Sequence, residues 1–168
     1  REYMVDGFYS SYTDTLFTED AVDLLKRSQH DITLVMDTDW RNRYRYRSQH
    51  PESDAEKIIA DGNRVTEVSR TIDSDKASGE FTGVLKMTAK GAKTFLRFYD
   101  EIFYSLGLNG TFAENKPFRM AYLIHLLNHM IKQNIDIYCV PVHGNYHEID
   151  TLQDYELAKA HWGAVSGE

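Results

Sequence analysis

Short blocks of alternating or continuous apolar residues mark this chain, and their period switches repeatedly between strand-like and helical. Phe8 to Thr13 is rich in Phe, Tyr and Ser and reads as a short strand, with Asp14 at its end. Thr18, followed by Glu19, Asp20 and an apolar run from Ala21, reads as a capped helix start, with acids where the helix dipole favours them. Ile32 to Met36 is a continuous apolar run of the kind that fills buried parallel strands, and it ends in Asp37-Thr38-Asp39-Trp40.

The middle of the chain is rich in strand signals. Glu56 to Ala60 and Arg64 to Ser69 flank Asp61-Gly62-Asn63, the signature of a hairpin. Gly79 to Thr88 reads as another strand. From Lys90 to Leu106 the apolar residues Phe95, Phe98, Ile102 and Leu106 fall at helical spacing. Leu108 to Pro117 reads as a loop, and a second helix is expected from Phe118 to about Gln133, ended by Asn134. A strand over Ile135 to Val140, a turn at His143-Gly144, a short strand over Tyr146 to Asp150 and a helix from Leu152 to about Ala160 complete the pattern. Strands alternating with helices predict an α/β layered domain with a mainly parallel sheet. In such sheets ligands bind beyond the carboxyl ends of the strands, where Asp14 and Asp37 are placed.

Composition narrows the class. The chain has 168 residues, enough for one domain, and 42% of them are hydrophobic, which excludes wholesale disorder. The most apolar stretch, Met120 to Ile131, is interrupted by His125, Asn128 and His129 and is too short to span a bilayer. Cys139 is the lone cysteine, so no disulfide framework is available, and it reads as a small buried hydrophobe. The opening Arg1-Glu2-Tyr3-Met4 has no apolar signal region, and a cytoplasmic location is the default expectation.

A net charge of −7 disfavours partners held through phosphate neutralisation, so nucleic acid is not expected as a partner, and with no apolar run long enough to span a bilayer a membrane is not expected either. The local exception is Arg41 to Arg47, with four arginines and two tyrosines in seven residues. Such a run suits RNA, or one phosphate and one ring of a small ligand, or is simply solvated surface.

Four constellations carry candidate chemistry. Asp14, and Glu148 with Asp150, form the first. Residues two apart on a strand share a face, and two carboxylates on one face repel unless a cation or a proton lies between them. Mg²⁺ is commonly bound by one or two carboxylates plus phosphates and water. The competing reading makes Asp150 the N-cap of the last helix. The second is His125 with His129, one helical turn apart, but Leu126 stands where a zinc-protease motif needs Glu, so both read as helix-face residues. His143 and His147 are an equally weak metal signal. The third, nucleophilic catalysis, lacks Gly-x-Ser-x-Gly, and no phosphate-cradling Gly-rich motif occurs. The fourth is the aromatic set Trp40, Tyr44, Tyr46 and Tyr146, whose faces suit either a cationic ligand or core packing.

Taken in order, Ser11-Tyr12-Thr13-Asp14-Thr15-Leu16-Phe17, Asp31 to Trp40, His50-Pro51, Ala55-Glu56-Lys57, Gly79-Glu80-Phe81-Thr82-Gly83 and Tyr146 to Tyr155 resemble the sugar-phosphate-type nucleotidyltransferases. The ending looks like bacterial choline-phosphate cytidylyltransferases. The middle looks like the cytidylyltransferases of phosphonate biosynthesis, which are often fused to phosphoenolpyruvate mutase. The resemblance implies a Rossmann-like, mixed but mainly parallel sheet with flanking helices, the GT-A-like fold. It implies that Asp14 and Asp150, with Glu148 beside them, hold Mg²⁺ against nucleotide phosphates. The implied reaction is in-line attack of a phosphate or phosphonate oxygen on the α-phosphorus of CTP, releasing pyrophosphate. Aminoethylphosphonate, hydroxyethylphosphonate or phosphocholine would be the acceptor. Trp40, Tyr44 and Tyr146 would meet its amine or apolar end, Glu80 would bind the acceptor, and Arg47 or Lys57 would meet an anionic oxygen.

The family opens with a strand and a Gly-rich nucleotide loop, and nothing of that kind precedes Asp14. The whole chain, residues 1–168, therefore reads as one N-terminally truncated domain, the carboxyl-terminal part of the enzyme. Weak catalysis, poor base recognition and a sheet edge inviting a homodimer are the corresponding expectations. Three alternatives stay open: a sugar-phosphate enzyme using another nucleotide, a non-catalytic assembly module, and an RNA binder through Arg41 to Arg47.

Overall fold

The computed structural model describes residues 4–162. The strands and helices along the chain are β1 (Gly7–Ser10), β2 (Thr15–Phe17), α1 (Glu19–Arg27), β3 (Ile32–Asp37), α2 (Trp40–Tyr44), β4 (Lys57–Asp61), β5 (Arg64–Ser69) and β6 (Gly79–Thr88). They continue with α3 (Ala89–Leu106), β7 (Thr111–Ala113), β8 (Lys116–Pro117), α4 (Leu123–Lys132), β9 (Tyr138–Val142), β10 (Tyr146–Glu148) and α5 (Leu152–Trp162). Six strands form the main sheet in the order β1-β6-β3-β9-β5-β4, and β4 also pairs with the start of β6. The remaining strands make two small ladders, β2 with β10 and β7 with β8.

The mixed α/β architecture is as expected, but the strand polarity is not. Only β3 and β9 run parallel; β6 is antiparallel to β1, β3 and β4, and β5 is antiparallel to β4 and β9. The apolar run of β3 arises from burial on both faces, which antiparallel neighbours allow as readily as parallel ones. Leu34 and Met36 point into the larger core with Ile58, Phe81 and Leu85, on the side of α3 and α4. Val35 points the other way, to Val84 and to Ala21 and Leu25 of α1, as the two-residue strand period requires. Truncating Leu34, fully buried, would cost about 2–5 kcal/mol.

Local boundaries follow local chemistry. The β4–β5 hairpin turns at Gly62-Asn63, with Gly62 at φ +56°. Thr18 caps α1 by position without a side-chain hydrogen bond; Glu19 and Asp20 in the first turn and Lys26 and Arg27 in the last suit the dipole. The helix expected from Phe118 is divided. A 3₁₀ turn covers Phe118–Met120, and α4 starts at Leu123, where Nδ1 of His125 accepts the Tyr122 amide at 3.1 Å. Leu108 to Pro117 holds the β7–β8 hairpin, whose tip Glu114-Asn115 adopts positive φ. β9 begins later than expected. Asn134 leaves α4 at φ +61°, and the Ile135 amide returns to Met130 O at 3.0 Å, so the ladder starts only at Tyr138.

Cys139 is buried, and burial pushes its thiol up to about 11, so it packs as a small hydrophobe. Among the described residues no helix is long and apolar enough to cross a membrane.

Candidate functional site

The β2–β10 ladder brings the two halves of the carboxylate constellation together. Thr15 faces Glu148, and the Ile149 amide donates to Asp14 O at 2.8 Å. Asp14 is therefore held opposite Ile149 by backbone pairing across more than 130 residues of sequence, and its carboxylate is not one of the donor atoms that gather around Glu148 and Asp150. Asp14 and Asp150 are exposed, whereas Glu148 is half-buried. Burial raises the Glu148 carboxyl to about 7, with the charges of Asp150 and, further down, Asp14 adding to the shift.

Asp150 is not the helix cap. That work falls one residue later: the Asp154 amide donates to Thr151 Oγ1 at 3.2 Å, and Asp154 Oδ2 accepts the Thr151 amide at 2.9 Å. This reciprocal pair starts α5 and leaves the Asp150 carboxylate for other partners. His50 is one of them. Its Nδ1 lies 3.1 Å from Asp150 Oδ2 and its Nε2 3.8 Å from Glu148 Oε2. Donor atoms of His50, Glu148 and Asp150 all lie within 4.8 Å of one another. Burial, and then the charge of Arg47, lower the His50 pKa and favour the neutral ring.

Arg47 and Asp154 anchor this corner. Both side chains are 1% exposed, and Arg47 Nε donates to Asp154 Oδ1 at 2.6 Å. Arg47 Nη2 also reaches Glu148 O at 3.2 Å and His50 Nδ1 at 2.5 Å. Burial alone would raise the Asp154 carboxyl, but the hydrogen bonds from Arg47 and Thr151 outweigh it and hold the group at about 2.

A second charged cluster lies behind β10. Arg43 Nη1 donates to Asp37 Oδ2 at 3.1 Å, Arg43 Nη2 pairs with Glu80, and Tyr44 donates its hydroxyl to Glu80 at 2.7 Å. Asp37 also accepts the amides of Asp39 and Gly144 at 2.8 and 2.9 Å, so its carboxylate closes the carboxyl end of β3 against the β9–β10 turn. The Arg43 guanidinium lies 4.2 Å from the centre of the Tyr146 ring. A cavity of about 250 Å³ opens beside it, lined by Asp37, Asp39, Arg43, Tyr46 and His147 among others.

A third cluster sits on the opposite flank. Tyr12 donates to Glu56 at 2.9 Å, and Arg70 Nη2 donates to the other Glu56 oxygen at 3.3 Å. Burial raises Glu56, which contributes in turn to the raised Glu148. Arg70 and Lys116 lie 4.5 and 4.8 Å from the Tyr122 ring centre. The Arg70 Nε atom is buried without a hydrogen-bond partner.

The structure distributes the remaining sequence candidates unevenly. Trp40 is 3% exposed and packs with Tyr44, Ala55 and Ala77. Lys57 is buried, with Nζ 3.3 Å from Ala55 O, and burial lowers its pKa. Glu80, Tyr44 and Tyr146 are joined through Arg43. The arginine run is split by its helical spacing. Arg43 and Arg47 turn inward, while Arg41 pairs with Asp75 at 3.0 Å and Arg45 with Asn42 at 3.4 Å on the outside. No continuous cationic face results among the described residues. His125, the third residue of α4, accepts the amide of the N-cap Tyr122, and His129 packs edge-on against Phe98 and Phe112. Sequence reasoning gave no separate role to His50, Tyr12, Glu56, Arg70 or Tyr122. The available signal for His50 is the His50-Pro51 pair within the family resemblance.

No family model matches the chain. In sequence it is 23% identical over 148 residues to the CTP:phosphoglutamine cytidylyltransferase of Campylobacter jejuni, covering 88% of this chain and 56% of that protein. The chain thus spans just over half the length of the curated relative it matches. In structure it is similar to the inositol-1-phosphate CTP transferase of T. maritima, with a TM-score of 0.64 and 20% identity over 99% of this chain and 60% of that one. It is also similar to the CTP:phosphocholine cytidylyltransferase of Streptococcus pneumoniae, with a TM-score of 0.60 and 21% identity over 92% of this chain and 57% of that one. These likenesses bear out the resemblance read from the sequence: the relatives are cytidylyltransferases of the sugar-phosphate nucleotidyltransferase type, and the fold is the GT-A-like one.

Proposed function

We propose that this chain is the cation- and acceptor-binding part of a cytidylyltransferase that joins CMP from CTP to a small phosphate or phosphonate acceptor. The observation that carries the reading is the gathering of Glu148 and Asp150, with His50, so that their donor atoms lie within 4.8 Å of one another beside the end of the β2–β10 ladder, where the Asp14 carbonyl accepts the Ile149 amide. The donor set fits Mg²⁺, a hard cation that takes oxygen ligands and shares its shell with phosphates and water. A cation there would also offset the burial and the neighbouring Asp150 charge that together raise the Glu148 carboxyl to about 7. When bound, Mg²⁺ would supply charge neutralisation at the reacting phosphates. Asp14 and Asp150 would hold it from the exposed side and Glu148 from the buried side. Arg47 and the Thr151–Asp154 pair fix the backbone that presents Glu148 and Asp150.

The acceptor's anionic group would meet Arg70 and Lys116, whose charges flank Tyr122 on the side of Glu56 and Tyr12. No protein nucleophile is needed, because the acceptor oxygen itself attacks the α-phosphorus and pyrophosphate leaves. The far end of the acceptor is constrained by Tyr44 and Tyr146. Both rings already carry arginine guanidinium groups, Arg47 at 5.2 Å from the first and Arg43 at 4.2 Å from the second. That occupancy favours a hydroxyl or primary-amine acceptor, such as hydroxyethylphosphonate or aminoethylphosphonate, over phosphocholine. CTP is proposed as the donor by analogy with the CTP-using relatives.

Pyrophosphate release by the natural full-length protein, compared across CTP, UTP, dTTP and ATP with phosphonate, phosphocholine and sugar-phosphate acceptors, tests the reading. CTP with a phosphonate acceptor is expected to give the fastest release. Faster release from UTP or dTTP with a sugar phosphate would replace it with the sugar-nucleotide alternative.

A further inference from the structure

His125 stands between the start of α4 and the tip of the β7–β8 hairpin. Its side chain is 6% exposed, and its two ring nitrogens have separate neighbours. Nδ1 accepts the Tyr122 amide at 3.1 Å, which places the ring proton on Nε2. Nε2 is buried and makes no aligned hydrogen bond, although Glu114 Oε1 stands 3.3 Å away. The other Glu114 oxygen lies 3.3 Å from Lys116 Nζ, and that ammonium lies 4.8 Å from the centre of the Tyr122 ring. These contacts close a loop, from the Tyr122 backbone through His125, Glu114 and Lys116 back to the Tyr122 ring. Arg70 lies against the same ring at 4.5 Å, and its Nε is a buried donor that an acceptor oxygen would satisfy.

We infer that His125 is a positioning residue for the acceptor's anionic group: acting through Glu114, it holds the hairpin so that Lys116 stays at Tyr122 together with Arg70. The inference rests on the acceptor-binding reading above. Glu114 and Asn115 both adopt positive φ, an uncommon conformation for residues other than glycine, so contacts rather than backbone preference must fix the tip. Glu114 takes one of the three ammonium protons of Lys116 and leaves two for an anionic oxygen. A long lysine side chain ordered in advance loses less entropy when the acceptor binds.

Steady-state kinetics of the natural full-length protein with CTP and aminoethylphosphonate test this role, with circular dichroism to check that each variant folds. Glu114→Ala should raise KM for the phosphonate by about tenfold and leave kcat within about twofold. By charge alone, deleting a carboxylate beside an anion site would lower KM, so the direction separates positioning from simple electrostatics. His125→Glu keeps an oxygen for the Tyr122 amide, as Glu does at the third position of many helices, but sets a carboxylate against Glu114. It should stay folded and raise KM as Glu114→Ala does. In His125→Gln the amide oxygen accepts from Tyr122 and the amide NH₂ donates to Glu114, so KM should stay within about twofold of the parent. Combining His125→Glu with Glu114→Ala should raise KM little beyond either alone, because the two residues form one unit. An unchanged or lower KM in Glu114→Ala, effects that multiply in the double variant, or a KM in His125→Gln as high as in His125→Glu would overturn the positioning role and leave the acceptor site standing. No turnover of any phosphate or phosphonate by the parent protein would overturn both.

Discussion

Arg43 lies with its guanidinium carbon 4.2 Å from the centre of the Tyr146 ring while its two terminal nitrogens hold Asp37 and Glu80. One buried cation therefore ties the carboxyl end of β3, the start of β6 and the first residue of β10 into a single unit. Since β10 presents Glu148 two residues further on, this contact sets the site's back wall.

Replacing Arg43 with Met would leave two buried carboxylates facing each other without a cation. The loss of one partner of a buried ion pair costs about 3–5 kcal/mol. Urea unfolding of the variant is expected to show a loss of that order. A loss below about 1 kcal/mol would mean that the carboxylates find other partners.

Asp154 makes stability depend on pH at the acid end. Its carboxyl titrates at about 2 in the folded chain against an ordinary 3.8. A group with a lowered folded pKa contributes stability above its unfolded value, and the contribution is lost as pH falls through the folded one. The window is therefore pH 4 down to 2, and the contribution is about 2 kcal/mol. Comparing Asp154→Asn with the parent protein by thermal unfolding should show the variant destabilised at neutral pH, with the gap narrowing below pH 4.

Gly83 supports the Tyr12 ring. It adopts φ +76°, and a Cβ built on it would overlap that ring. Gly83→Ala is expected to destabilise the chain by about 1–3 kcal/mol through strain and overpacking. It should also release Tyr12 from Glu56, visible as a shifted Tyr12 hydroxyl or ring resonance. Unchanged stability would show that the ring moves aside without cost.

Asp14→Asn and Asp150→Asn test the exposed half of the cation site. Because both side chains are exposed, folding should be nearly unaffected, with changes within about 0.5 kcal/mol. Mg²⁺ affinity measured by calorimetry should fall by about tenfold or more in each. Unchanged affinity in both would remove them from the site.

Much of this arrangement is written locally. β6 occupies the span its residues predict, Gly79 to Thr88, because the glycine at its start and the Thr88 cap at its end punctuate the run. The expectation that Asp14 joins Glu148 and Asp150 comes from a family resemblance in residue order, not from spacing, and the ladder brings the Asp14 backbone to Ile149. Strand polarity is not local. Ile32 to Asp37 has one apolar pattern whether its neighbour is parallel β9 or antiparallel β6. Nor are the roles of Trp40 and His50. Trp40 looks as suited to a ligand as to a core until Ala55 and Ala77 close over it, and His50 acquires its neighbours only when α5 returns beside the loop after α2.

If this site helps join CMP to a phosphorylated or phosphonylated acceptor, the new bond forms at phosphorus and is visible there. ³¹P NMR of the natural full-length protein with CTP, Mg²⁺ and aminoethylphosphonate follows the reacting phosphorus itself. The expected result is a new pair of coupled resonances from the CMP–phosphonate anhydride together with pyrophosphate, both abolished by Asp150→Asn. Appearance of product at the parent rate in the Asp14→Asn and Asp150→Asn variants would contradict the claim, as would CTP left unchanged with every phosphate and phosphonate acceptor.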